Sequence, residues 1–226
     1  MLCRHQTEGS GRPLASSDNG EMPAVGEGES VVSLEEIART IRGSARRCPS
    51  IVAIDGPGGA GKSTLARRLA ALLPGSQVLS TDEFASWEVP LDWWPRLLEE
   101  VLVPLAEKRS ATYRPYDWKE RQLGEERSLV VKDHLILEGV SSGRLEFAPF
   151  LDFLIWLETP RVERLARGLQ RDGEQMRSQW LAWMRDEDRH HRRHQTRSRA
   201  DLIVSGAPTA RHDPETSLVV LTPFRS

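Results

Sequence analysis

The chain has 226 residues, which is long enough for one α/β domain with a substantial core and short for two. Its formal net charge is −2 and 28% of its residues are charged, so no global field points to a nucleic acid or a membrane surface as a partner. Two cysteines, Cys3 and Cys48, exclude a disulfide framework, and no apolar run approaches about 18 residues, so we expect a cytoplasmic protein without membrane spans.

The chain opens with a segment that favours disorder. Residues 1–30 are rich in Gly, Ser, Glu and Pro and cannot bury enough apolar surface to offset their ordering entropy, so we predict a disordered tail followed by one domain over residues 31–226. Ser33 followed by Glu36 is a capping-box pattern that starts a helix, which we expect beside the first strand. Its apolar stripe consists of Leu34, Ile37, Ala38 and Ile41.

The most specific motif lies between a predicted strand and a predicted helix. Ile51 to Ile54 form an apolar run typical of a strand buried on both faces, and Leu65, Leu69 and Leu72 recur at helical spacing. Between them, GPGGAGKS satisfies G-x-x-x-x-G-K-[ST], the loop that binds nucleotide phosphates.

This loop predicts ATP and Mg²⁺ as cofactors. Its glycines let a phosphate approach the backbone amides at the helix N-terminus, Lys62 would reach the β- and γ-phosphates, and the Ser63 hydroxyl would ligate Mg²⁺. The alternative is a glycine-rich turn that binds nothing. The predicted nucleotide-binding residues are Gly56, Pro57, Gly58, Gly59, Ala60, Gly61, Lys62, Ser63 and Thr64.

Two further strands end in carboxylates. Val78 and Leu79 indicate a short strand that places Asp82 at its carboxyl end, where open α/β sheets bind ligands. The segment from His134 to Glu138 indicates another strand, and Glu138 at its end is a candidate contact of Mg²⁺, with a surface role as the alternative. Between these strands we predict a helix that Asp92 caps and that Pro104 kinks or shortens.

The rest of the chain continues the alternation of strands and helices. Phe153 to Leu157 indicates a strand, and Thr159 with Pro160 indicates the cap and first position of a helix to about Gln170. A second helix and two final strands, ADLIVSG and SLVVLTP, follow. The pattern predicts an α/β fold with a mostly parallel sheet covered on both faces.

The segment from Arg185 to Arg199 is rich in basic residues without favouring nucleic acid. It contains Asp186, Glu187 and Asp188 and lacks interleaved aromatic residues, so no specific nucleic-acid partner is expected. A metal site at His190, His191 and His194 is the alternative to a solvated helix, which we favour because nearby arginines repel cations.

The order of the motifs resembles a known family. GPGGAGKST, TDEF, YRPYDW, LILEGV, RLARGLQRD and RADLIVSG, over about residues 51–206, are similar to the uridine kinase group of nucleoside kinases, related to phosphoribulokinase. The resemblance implies a three-layer P-loop NTPase fold with a small helical lid at about residues 164–178.

The resemblance also implies roles for individual residues. Asp82 would accept the proton of the attacking hydroxyl and contact the metal, with a helix cap or a ligand of Mg²⁺-bound water as the alternative. The pattern RxxRxxxRD of the family's lid matches Arg164, Arg167, Arg171 and Asp172. We expect Arg167 and Arg171 to be the catalytic lid arginines, with a solvated basic helix face as the alternative.

Acceptor contacts follow from the same resemblance. Glu88 falls where the family binds the ribose, and Tyr116 lies in the segment that precedes the base contacts. Arg121 stands where the family's pyrimidine nucleoside kinases have a histidine, which argues against uridine or cytidine as the substrate. We expect one of Trp87, Trp93, Trp94 and Trp118 to contact the substrate, and Trp180 and Trp183 to be structural.

The sequence thus predicts an ATP- and Mg²⁺-dependent kinase that transfers the γ-phosphate to a hydroxyl of a nucleoside or nucleoside-like small molecule. Two alternatives stay open: a kinase of a nucleoside monophosphate, a pantothenate-like alcohol or a sugar, and a nucleotide-binding regulatory protein with little phosphotransfer. A phosphate-bearing acceptor would need basic groups, for which Arg96, Arg114 and Arg121 are candidates. A homo-oligomer is left open.

Overall fold

The computed structural model describes residues 28–86 and 88–222. Its strands are β1 (Ser30–Ser33), β2 (Ser50–Asp55), β3 (Ser76–Ser80), β4 (Ala111–Tyr113), β5 (Tyr116–Asp117), β6 (Gln122–Leu123), β7 (Arg127–Leu129), β8 (His134–Glu138), β9 (Phe153–Glu158), β10 (Leu202–Ser205) and β11 (Ser217–Thr222). Seven of these strands form one sheet in the order β1-β11-β10-β9-β2-β8-β3, and two separate two-stranded sheets, β4-β7 and β5-β6, lie outside it.

The centre of the sheet is parallel, as predicted. β10, β9, β2, β8 and β3 run in one direction, and β11 pairs antiparallel with both β10 and β1. In this register Glu138 lies opposite Ile54 on one side and Ser80 on the other. The carboxyl ends of β2, β3 and β8 therefore meet at one edge, which sets the position of the site described below.

Helices cover both faces of the sheet, which confirms the predicted three layers. The helices are α1 (Leu34–Ser44), α2 (Lys62–Leu72), α3 (Trp94–Leu97), a π-helical turn (Leu98–Leu102), α4 (Val103–Ala106), α5 (Arg161–Asp172), α6 (Arg177–His194) and α7 (Thr196–Arg199). Along β2, Val52 and Ile54 pack in the core beneath α1 and α2, whereas Ile51 and Ala53 pack in the core beneath α3 and α4.

The N-terminal helix follows the sequence prediction. Ser33 caps α1 by accepting a hydrogen bond from the Glu36 amide at 3.1 Å, and the four predicted apolar residues are buried. The strand before it was not predicted, because four residues pair with β11 only through the tertiary fold. Ser30, the last residue of the predicted tail, begins this strand, and residues 1–27 lie outside the described part.

Two predicted helix caps are wrong. The helix after Asp92 begins at Trp94 without a side-chain cap, and α5 begins at Arg161 after Pro160, while the Thr159 hydroxyl donates to the Ala60 carbonyl at 3.4 Å instead. Pro104 lies in a distorted helix, as predicted: a π-helical turn precedes it, since proline cannot donate the regular hydrogen bond. Among the described residues, no helix is both long and apolar enough to cross a bilayer.

Candidate active site

The glycine-rich loop joins the end of β2 to the start of α2, as the motif predicts. Gly61 is the N-cap of α2 at φ 104°, and no side chain caps the helix, so its first amides face an open cavity. Gly56 and Gly59 also have positive φ, at 147° and 77°. These conformations favour glycine and give the loop the shape that holds an anion.

Gly58 serves a different purpose from the other three glycines. Its φ is not positive, but a Cβ atom there would lie 2.8 Å from the Glu187 carboxylate. The Gly58 amide donates to this carboxylate at 2.7 Å. The third residue of the loop is therefore held by a side chain from α6.

Polar groups of three elements converge below the loop. Lys62 is 7% exposed and donates from Nζ to the Pro57 carbonyl at 3.0 Å, while the Ser63 hydroxyl donates to Glu138 at 3.1 Å. Asp82 lies in a short 3₁₀ turn directly after β3. Burial raises the pKa of the Glu138 carboxyl, and the positive charge of Lys62 opposes this shift.

These groups line a cavity of about 730 Å³, which we name the loop cavity. A hydroxyl and two carboxylates, from Ser63, Asp82 and Glu138, supply only oxygen ligands at its floor, which suits Mg²⁺ because this ion keeps several waters and needs few protein carboxylates. The lining residues are Gly58, Gly59, Gly61, Lys62, Ser63, Thr64, Asp82, Trp118, Glu138, Gly139, Val140, Arg167, Gly168, Arg171, Trp180 and Trp183.

The three arginines of α5 do not act alike. Arg167 and Arg171 line the loop cavity, and Arg167 donates to the Gly59 and Gly206 carbonyls at 3.3 and 2.9 Å. Arg164, expected beside them, is buried and donates to the Thr159 carbonyl and, at 3.4 Å, to Glu187. Arg164 does not line the loop cavity, because its ion pair with Glu187 holds it against α6.

Arg171 is the exposed arginine of the cavity. It pairs with Asp172, which raises the pKa of its guanidinium, and it lies 5.6 Å from the centre of the Trp180 ring. A long, exposed arginine side chain that lines the cavity can turn to a bound phosphate. Breaking its ion pair with Asp172 costs little free energy, because this pair is open to water.

A second cavity, of about 460 Å³, adjoins the loop cavity and shares Asp82 with it. We name it the tryptophan cavity, because four indoles form its walls. Trp180 and Trp183, expected to be structural, line both cavities; Trp180 also packs on Leu169 and Met184. Its lining residues are Thr81, Asp82, Ala85, Ser86, Pro90, Trp93, Trp118, Val140, Arg171, Met176, Gln179, Trp180, Ala182, Trp183 and Asp186.

Comparison with known proteins identifies the family. A family model described as an AAA domain matches residues 52–194, which is more than half of the chain. The chain belongs to this AAA domain family. The match includes the phosphate loop, Asp82, Glu138, α5 and α6, so the residues that line the two cavities lie within this AAA domain.

Three similar proteins are described as kinases. A cytidylate kinase of Haloarcula marismortui is 30% identical over 132 residues, which are 57% of this chain; the chain spans 64% of that relative's length. A solved structure described as a possible uridine kinase from Bacillus stearothermophilus gives a TM-score of 0.59 at 21% identity, covering 75% of this chain and 96% of that one. A putative fructose transport system kinase from Silicibacter sp. TM1040 gives 0.58 at 19% identity, covering 70% and 95%.

These two structures confirm the fold that the motifs predicted, a P-loop NTPase like that of the uridine kinase group. At this level of identity they bear on the fold alone. The acceptor has to be argued from the residues of this AAA domain.

The residues predicted to hold a nucleoside lie apart from both cavities. Glu88 pairs with Arg121 at 3.1 Å on an exposed surface, and the Tyr116 hydroxyl donates to Glu88 at 3.5 Å. Tyr116 lines a separate cavity beside Glu83. None of the three lines the loop cavity or the tryptophan cavity.

The four tryptophans predicted near the acceptor separate in the structure. Trp93 and Trp118 line the tryptophan cavity, and the Trp118 indole donates to the Asp82 carbonyl at 3.0 Å. Trp94 instead packs against Arg144, whose guanidinium lies 5.0 Å from the ring. Trp87 lies outside the described residues.

The expectation of a solvated histidine helix is wrong. His190 and His194 are buried, at 8% and 3% exposure, and His191 lies 3.5 Å from the carboxylate of Asp55. They face inward because α6 packs over the end of β2, where Asp55 is fully buried and needs donors. No group of three or more His, Cys, Asp or Glu among the described residues is arranged to hold a metal.

Sequence reasoning missed Asp55 and Glu187 as parts of the site. Asp55 directly precedes the loop, and its carboxylate accepts from the amides of Gly56, Ser141 and Gly143 at 2.7–3.0 Å. The position of Asp55 between a buried strand and the loop could have identified it from the sequence. No sequence pattern identifies Glu187, because it lies 129 residues from Gly58 among other charged residues.

Proposed function

We propose that this AAA domain protein is an ATP- and Mg²⁺-dependent kinase that transfers the γ-phosphate to a hydroxyl of a nucleoside-like small molecule. The observation that carries the proposal is the position of Asp82, whose side chain lines both the loop cavity and the adjoining tryptophan cavity. A carboxylate shared by a phosphate site and a second cavity is placed to serve an acceptor hydroxyl.

Each step uses groups already described. The acceptor oxygen attacks the γ-phosphorus, the bond to the β–γ bridging oxygen breaks, and ADP leaves with its electron pair. Asp82 accepts the hydroxyl proton. Lys62 and the amides of α2 stabilise negative charge on the phosphates, and Arg167 and Arg171 provide the charge on the lid side.

The lid is proposed to be the segment of about residues 164–178, which runs from α5 into α6. It borders both cavities through Arg171 and Met176, so its closure would exclude water, which otherwise competes with the acceptor. Bound Mg²⁺ would neutralise phosphate charge, and Ser63, Glu138 and Asp82 would hold it.

The test uses purified protein with ATP and Mg²⁺ and a panel of nucleosides, nucleoside monophosphates, alcohols and sugars, read by ADP release and product mass. We expect acceptor-dependent ADP release that falls at least about 100-fold in Asp82→Asn, as general-base removal predicts. Lys62→Ala should lose ATP binding by calorimetry. Val162→Ala, on an exposed face of α5, is the control.

Three outcomes would count against parts of the proposal. Unchanged ATP affinity in Lys62→Ala would contradict the phosphate site, and turnover within a few-fold of wild type in Asp82→Asn would exclude this residue as the base. Tight ATP binding with no turnover on any acceptor would favour a regulatory protein.

A further inference from the structure

The walls of the tryptophan cavity are mainly apolar. Trp93, Trp118, Trp180 and Trp183 contribute indole rings, and Met176 adds a thioether. Trp93 is 3% exposed and packs against Phe84 and Phe147, so its ring forms a fixed wall, whereas Trp118 is 40% exposed and offers open indole surface. Exposed indole surface beside a fixed aromatic wall binds flat rings by stacking and burial, without reading the edge of the ring.

The charges in this cavity disfavour an anionic ligand. Asp82 and Asp186 contribute two carboxylates, and among the described lining residues Arg171 is the only basic side chain. The proposed function already assigns this arginine to the γ-phosphate of ATP. A phosphate monoester would therefore meet carboxylates with little positive charge to compensate.

The arginines that a phosphorylated acceptor would need are engaged elsewhere. Arg96 forms an ion pair with Glu100 at 3.0 Å and also donates to the Arg114 carbonyl. Arg114 itself donates to the Gly124 carbonyl at 2.8 Å. Arg121 pairs with Glu88, and none of the three arginines lines the tryptophan cavity.

We propose that the acceptor is a phosphate-free alcohol carrying a flat, largely apolar ring, which the tryptophan cavity selects by stacking instead of by hydrogen bonds to a base or a ribose. This inference rests on the proposed function and specifies its substrate class. The absence of a phosphate on the acceptor distinguishes this protein from kinases of nucleoside monophosphates. The preference for a largely apolar ring distinguishes it from kinases that bind a pyrimidine through hydrogen bonds to the edge of the base.

The test compares probes that differ in ring polarity and in charge. 2-Naphthaleneethanol, uridine, UMP and fructose are titrated calorimetrically into the full-length protein saturated with Mg²⁺ and the non-hydrolysable ATP analogue AMP-PNP. We expect 2-naphthaleneethanol to bind at least about tenfold more tightly than uridine, because it buries more apolar surface. UMP and fructose should show no saturable binding.

Two variants locate the binding. Ala182 lines the tryptophan cavity and not the loop cavity, so Ala182→Phe should fill it and weaken 2-naphthaleneethanol at least tenfold. Val162→Phe, which adds the same ring at a position that is 78% exposed, is the matched control. Thermal denaturation checks the fold of both variants, and the wild-type titrations decide the question if Ala182→Phe does not fold.

Tighter binding of uridine, UMP or fructose than of 2-naphthaleneethanol would overturn the inference, as would equal affinity in Ala182→Phe and wild type. Failure of the proposed function gives a different result. If AMP-PNP itself does not bind, the phosphate site is wrong; if AMP-PNP binds and 2-naphthaleneethanol does not, only the acceptor class is wrong.

Discussion

Glu187 places a carboxylate against the phosphate loop, at an amide that a bound phosphate could use. It is fully buried, and its second oxygen lies 3.4 Å from the Arg164 guanidinium. Burial raises the pKa of this carboxyl, while Lys62, the Gly58 amide and Arg164 act in the opposite direction. A phosphate that approaches Gly58 would be repelled by this charge.

Glu187→Gln is therefore expected to bind ATP about tenfold more tightly than wild type, since a hydrogen bond to a charged group is worth about 1.5–3 kcal/mol and a neutral amide does not repel phosphate. Calorimetric titration with ATP measures the change. Asp188→Asn, which removes the neighbouring charge that pairs with Arg161, is the control and should bind ATP as wild type does.

The raised pKa of Glu187 adds a pH test. Protonation neutralises this carboxyl as the pH falls, so the advantage of Glu187→Gln over wild type in ATP affinity should shrink at lower pH. Weaker ATP binding in Glu187→Gln would show instead that the carboxylate supports the loop in its binding shape.

At the scale of elements, the pairing of α5 with α6 shapes both cavities. Gly168 on α5 faces Trp180 on α6, and a Cβ atom at this glycine would lie 2.4 Å from the indole. The two helices approach this closely only because residue 168 has no side chain. The same indole donates to Asp172 at 3.0 Å, which ties the end of α5 to α6.

Gly168→Ala is expected to destabilise the protein by about 1–3 kcal/mol, the usual cost of overpacking. It should also lower turnover, because Trp180 lines both cavities. Chemical denaturation and ADP release measure the two effects. Gly43→Ala in α1 is the matched control: its Cβ would meet nothing within 4 Å, so stability should stay equal or rise by up to about 1 kcal/mol.

At the scale of the whole molecule, a polar cluster lies between α6 and the end of the central sheet. Burial opposes ionisation of Asp55, yet His191 and the amides of Gly143 and Gly56 hold the pKa of this carboxyl below its usual range. Burial also lowers the pKa of His190 to about 3. In the described structure the Nε2 atom of His190 has no hydrogen-bond partner.

These shifts predict a loss of stability in acid, in two stages. The unfolded chain takes up a proton at His190 below about pH 6.5 and the folded protein does not, so stability falls from that pH downward. The lowered pKa of Asp55 contributes stability above pH 3.8, which is lost only as the pH falls further, through its folded pKa.

Between pH 7.5 and pH 5, His190 should therefore lower the free energy of unfolding by about 2 kcal/mol, from about 1.36 kcal/mol per pH unit below its ordinary pKa. The raised pKa values of Glu138 and Glu187 act in the opposite direction, so the test compares two proteins that share them. Over this range, denaturant midpoints of wild type should show about 2 kcal/mol less stability relative to His190→Phe, which removes the titrating group at a buried position. An equal change in both proteins would assign the pH dependence to other groups.

The amino-acid sequence determined the phosphate loop, the strand and helix around it, and the parallel centre of the sheet. These features depend on local patterns, namely an apolar run, a glycine-rich string and a helical stripe, and each is written in consecutive residues. The positions of Asp82 and Glu138 also followed, because parallel strands bring their carboxyl ends to one edge.

Only the tertiary structure decided which side chains join that edge from a distance. Glu187 reaches Gly58 from α6, Arg164 turns inward to meet it, and the histidines of α6 are buried against Asp55. Their local sequence resembles a solvated charged helix. What buries them is the packing of α6 against the loop, a long-range contact that no local periodicity encodes.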